Sequence, residues 1–214
     1  MKNRRALYLT VCAALCLLLC AFSVQAQTTN TAQAETKDDE TNLETQLYLI
    51  LGTNQDVADA RMPASLDSVV KELRAALPFK NYRLAATLIN RVKNDSRLQL
   101  SWVGGTLASA TPNTPSLTPS FSQFNVRQVR MVRNNAGQSV VQMLGFNFGA
   151  RIPIQVSSAI AANGAVAPAY NYENTGLATD ISMRESEPVI VGTMNIGPSG
   201  DAIILVVAAK RSQK

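Results

Sequence analysis

The sequence predicts an α+β fold, mostly antiparallel β: a β-rich, sandwich-like domain with one helix near the start of the mature chain. Three observations predict it. Most segments after residue 80 alternate apolar and polar residues with period two. One stretch, 64–78, carries helical spacing instead. Runs of strands beside a single helix are the pattern of a mostly antiparallel domain.

Order is expected from Leu43. Before it, Lys2, Arg4 and Arg5 precede an apolar run from Ala6 to Phe22, and Val24-Gln25-Ala26 places small residues where a signal peptidase reads. Residues 1–26 therefore read as a secretory signal peptide cut after Ala26, an uncleaved anchor being the alternative. Residues 27–42 are polar and aperiodic, as in a disordered spacer.

LETQLYLILG (43–52) reads as a strand. In ASLDSVVKELRAALP (64–78), Ser65 is a candidate N-cap, and Leu66, Val69, Val70, Leu73 and Leu77 share one face before Pro78 stops the helix. NYRLAATLINRVK (81–93) and RLQLSWV (97–103) are expected to form a hairpin through the polar turn between them. Together 43–103 would make a small βαββ unit. Residues 104–120 are rich in Gly, Ser, Thr and Pro and read as a linker.

The second unit, 121–210, is expected to be an antiparallel β-domain, with a tail at 211–214. FNVRQVRMVR (124–133) pairs through a turn with SVVQMLGFNFGARIPIQV (139–156). From 145 to 156 every even residue is apolar, from Phe146 to Val156, and every odd one is glycine, polar, charged or proline. Gly145 and Gly149 suggest a bend or bulge, and Pro153, which cannot donate to a ladder, suggests an edge. The all-small segment 157–169 reads as open. Strands follow at 176–184, 187–196 and 201–210, and the last is apolar on both faces, so it belongs at the centre of a sheet.

Composition restricts the chemistry. The chain has no histidine, and its three cysteines, Cys12, Cys16 and Cys20, all lie in the signal region. That removes Ser–His triads, thiol catalysis and zinc or iron–sulfur clusters from the mature chain. An exported chain without cysteine suits a bacterial envelope. Without Lys2, Arg4 and Arg5, 17 basic face 15 acidic side chains, with no basic run, so no nucleic-acid partner is expected. Arg127, Arg130 and Arg133 would split on a regular strand, 127 and 133 on one face and 130 on the other. Glu185 and Glu187, flanking Ser186, read as a charged turn, and DVADA (56–60) with Asp67 as a solvated loop. Trp102, Phe146 and Phe148 read as core or interface aromatics.

The C-terminal third runs GARIPIQV (149–156), a gap of small residues, YNYENTGLATDISM (170–183), EPVIVGTM (187–194) and an aliphatic strand. This order resembles the β-domain of the outer-membrane secretins, the ring-forming channels of secretion systems and type IV pili. The resemblance implies that Gly149, Ile152, Pro153, Gly176 and Leu177 shape strands rather than perform chemistry, and that 43–103 corresponds to a periplasmic ring module. A chain this short would be a reduced relative or an accessory protein.

The expectation is thus an exported, non-enzymatic envelope protein, periplasmic or outer-membrane-associated. It has no catalytic, cofactor-binding or metal site and no cofactor. Its partners are envelope proteins or its own copies, joined by strand addition near Pro153. Membrane contact is confined to the signal segment or a peripheral touch. The alternatives are a small outer-membrane β-barrel and a carboxylate-dependent envelope enzyme.

Overall fold

The computed structural model describes residues 41–55, 62–104, 118–160, 166–196 and 200–212, with side chains except at 155, 157–160 and 166–168. The signal segment, the spacer up to residue 40, the loop 56–61 and most of the linker lie outside the described residues.

Among the described residues eight strands form two four-stranded antiparallel sheets. They are β1 (Asn42–Thr53), β2 (Asn81–Lys93), β3 (Ser96–Val103), β4 (Phe121–Arg133), β5 (Ser139–Ile160), β6 (Val166–Arg184), β7 (Val189–Ile196) and β8 (Asp201–Arg211). One sheet has the order β2-β1-β8-β7 and the other β3-β4-β5-β6. The sheets make a sandwich, not the closed barrel weighed as an alternative. Segments 43–103 and 121–210 contribute to both sheets: β1 pairs with β8, and β3 pairs with β4.

The strand read as central is central. On β8, Ile203, Leu205, Val207 and Ala209 enter the core between the sheets. Ile204 and Val206 face the other way, into a second cluster with Tyr48, Ile50 and Tyr82. That cluster is closed by a short 3-10 turn, Ala64–Leu66, and helix α1, Asp67–Ala76, through Leu66, Val69 and Leu73. Ser65 falls inside the 3-10 turn and does not cap the helix; Leu66 takes the capping position with no side-chain bond. The helix ends before Pro78, with the Leu77 N–H bonded to the Leu73 carbonyl at 2.8 Å.

The predicted 81–93/97–103 hairpin does not form, since β2 and β3 belong to different sheets. Asn94 and Asp95 make the corner between them. The Asn94 N–H donates to Thr41 at the start of β1, while its side-chain oxygen accepts from Met131 N–H on β4. Asp95, at φ 65°, donates to the Val129 carbonyl. The turn is therefore satisfied by both sheets, and the chain crosses the core at this point.

Phe146 is fully buried, so Phe146→Ala should cost about 3–5 kcal/mol in urea unfolding. Ile89, 61% exposed, should cost less than about 0.5 kcal/mol as alanine. The Tyr82 hydroxyl donates to the Leu73 carbonyl at 2.9 Å, and burial raises its pKa above the ordinary tyrosine value. A raised phenol stabilises the fold below the ordinary pKa and loses that contribution as pH rises past it. Tyr82→Phe should accordingly flatten the alkaline limb of a stability profile and cost about 1 kcal/mol at neutral pH.

Candidate interaction surface

β5 and β6 are the longest strands among the described residues, and their pairing runs out to Ile160 opposite Val166. Part of the small-residue segment read as open is therefore strand; residues 161–165 lie outside the described residues. Small side chains obscured the strand in the sequence, although Tyr170 and Tyr172 continue the period-two pattern upstream of Gly176.

The inner face of β5 tells where the sandwich stops. Phe146, Phe148, Ala150 and Ile152 are buried and Ile154 is 9% exposed, whereas Val156, the extra residue of a bulge between Gln155 and Ser157, is 61% exposed. Ile154 is the last buried position on β5 among the described side chains, and the hairpin continues past it. On the outer side the β4 ladder ends where Phe121 faces Arg151. From Ile152 onward β6 alone pairs with β5 among the described residues. Pro153 falls on this one-sided stretch, where a missing N–H is tolerated. It is buried opposite Tyr172, whose hydroxyl donates to the Pro119 carbonyl at 3.1 Å. The Tyr172 ring lies 5.9 Å from that of Phe121, and the Arg151 guanidinium sits over it at 5.4 Å. These contacts hold the base of the projecting hairpin.

The residues carrying the family resemblance meet on this hairpin. Gly149 faces Gly176, and Leu177 faces Phe148. A Cβ at Gly176 would stand 2.8 Å from the Phe148 carbonyl oxygen, so the two strands approach closely because a side chain is missing.

The expected bend lies at Gly145, at φ 64°, whose N–H donates to Asp180 Oδ1 at 2.5 Å. Buried positions here step by three instead of two, from Met143 to Phe146 on β5 and from Val126 to Val129 on β4. This shift overturns the expected split of the arginines. Arg127 precedes the shift and Arg130 follows it, and both end on the outer face. Arg130 Nε donates to Gln142 at 2.9 Å.

The remaining candidates are dispersed. Glu185 pairs with Arg211 at 3.6 Å and Glu187 with Arg184 at 3.8 Å, so the two carboxylates serve different partners around the turn. Asp67 opens α1, and DVADA lies outside the described residues. Trp102 packs 6.3 Å from Phe148 at the margin of the core. On the opposite sheet, hydrogen bonds from Gln46 and then from Lys210 hold the Glu44 carboxyl below its usual pKa range.

An antiparallel sandwich with one projecting hairpin is what fold and surface define. No family model and no curated protein matches the chain. Among solved structures it is weakly similar to the secretin domain β-barrel of InvG from the Salmonella SPI-1 injectisome, at 7% identity and a TM-score of 0.36 over 81% of this chain. It is also similar to the Vibrio cholerae type IV competence pilus secretin PilQ, at 10% identity and a TM-score of 0.31 over 81% of this chain. The chain spans 64% and 58% of the length of those two chains.

Gly176→Val should force β5 and β6 apart, lowering stability by about 1–3 kcal/mol and accelerating amide exchange across 146–154.

Proposed function

We propose that this protein is an exported, non-enzymatic component of a bacterial cell envelope that acts through protein–protein contacts, as a secretin-like or accessory part of a secretion or pilus assembly. The observation that carries the reading is the β5–β6 hairpin. It leaves the sandwich with Val156 uncovered and, from Ile152, with no described strand on its β4 side. An unpaired strand side offers backbone donors and acceptors to an incoming strand, and strand addition is a common route to protein contact. Pro153 marks where that side opens, and it limits which register a partner strand can take.

Residue chemistry supports a binding role over a catalytic one. With no histidine and no mature cysteine, the common general base and thiol nucleophile are missing. The basic leader, apolar run and Ala26 site support export, to the periplasm or the inner side of the outer membrane.

The mature chain has no cysteine, so Val156→Cys introduces a unique thiol on the hairpin. A thiol-specific cross-linker applied to intact cells should trap either a ladder of self-multimers or one recurrent envelope partner. Lys93→Cys, on the far edge of the other sheet, should trap neither. A monomer alone at Val156→Cys, with the protein present in the envelope fraction, would refute the reading.

A further inference from the structure

The outer face of the β3–β4–β5–β6 sheet has an unusual charge distribution. Strands β3, β4 and β5 contain five arginines and no aspartate or glutamate, while β6 carries Glu173, Asp180 and Arg184, with Asp180 bonded to the Gly145 N–H. In the mature chain outside β3, β4 and β5, 12 basic side chains face 15 acidic ones. Arg97, Arg127, Arg130 and Arg151 share the outer face, Arg127 and Arg130 brought onto it together by the shift in face. Arg97 lies at the irregularity between Ser96 and Leu98, opposite residues 127 and 128. Arg127 lies against Gly145, where a Cβ would meet its side chain at 3.0 Å. Like charges on neighbouring strands repel, and none of the four makes an ion pair among the described residues.

Amides fill the spaces between these cations. Gln99, Asn125 and Asn147 form a row across β3, β4 and β5. Two residues along lies the row Ser101, Gln123, Gly149, with the Gln123 side chain over the glycine. It floors a groove of about 620 Å³, walled by Val103, Phe121, Arg151 and Asn174. Phe121 keeps 41% of its surface exposed there.

We propose that this face binds an anionic polysaccharide. Guanidinium groups recognise carboxylate or phosphate substituents in bidentate fashion. Amides both donate and accept, as a hydroxyl-rich chain requires. One exposed ring offers a flat apolar surface to the C–H face of a sugar. A nucleic acid strand would call for several stacking rings, and the groove exposes one. A peptide would gain more from an open strand side than from a sheet face. The proposal does not depend on the hairpin reading.

The test uses the full mature chain and an oligogalacturonate, followed by calorimetry and by the fluorescence of Trp102, the chain's single tryptophan, which borders the groove. Saturable binding is expected, weakening as salt is raised from about 50 to about 300 mM. Arg127→Gln, Arg151→Gln and Phe121→Ser should each weaken it roughly threefold to tenfold. Arg127→Gln should leave the melting temperature unchanged; Arg151 and Phe121 also touch Tyr172, so a cooperative melt and an unchanged circular dichroism spectrum should show that those two variants fold. Arg74→Gln on α1, which packs on the other sheet, should bind as the wild type does. The proposal is overturned by the absence of saturable binding or by equal affinity for a neutral malto-oligosaccharide. It is also overturned by wild-type affinity in the arginine variants, or by tighter binding of a single-stranded oligonucleotide or polyglutamate of matched charge.

Discussion

The structure depends on burying both faces of β8. Its odd-numbered residues fill the space between the sheets, and Ile204 and Val206 fill the space under α1. A strand wet on one side could belong to a two-layer sandwich alone; a strand apolar on both requires a third layer. The helix is that layer, and its short length matches its limited task of covering one end of the sheet. Beyond its reach the same surface turns polar, with Glu44, Gln46 and Lys210 bonded to one another where the helix no longer shields the strands.

A second constraint is the shift in face shared by β4 and β5. Two neighbouring strands each take a three-residue step at the same level, and β3 adjusts with its own irregularity at Arg97. Gly145 makes the step possible on β5, because only a residue without Cβ takes positive φ cheaply. The result keeps both ends of a long strand facing the core, Val141 and Met143 before the step and Phe146 to Ile154 after it. It also gathers on one surface the arginines that a regular strand would have divided.

Much of the fold was legible because its signals are local. Period-two burial from Phe146 to Ile154, helical spacing from Leu66 to Leu73, and the double-sided β8 each follow from a few consecutive side chains. What was not legible was decided over distance. Nothing in 81–103 says that β2 and β3 part, because that depends on Asn94 bonding simultaneously to β1 and β4. The outer half of the hairpin is built from small residues whose pairing comes from the opposite strand rather than from hydrophobic pattern. The arginine face was missed for a related reason. Its members are ordinary when read along the chain, and only the double step of β4 and β5 aligns them.

Sheet order carries one more consequence. The first strand of the domain, β1, finds its partner in the last, β8, which lies between β1 and β7. Until residues 201–211 emerge, that sheet lacks its centre, and α1 has only half a surface to cover. Contacts this distant in sequence close slowly. Such an arrangement delays completion of both the inter-sheet core and the layer under α1 until β8 is available.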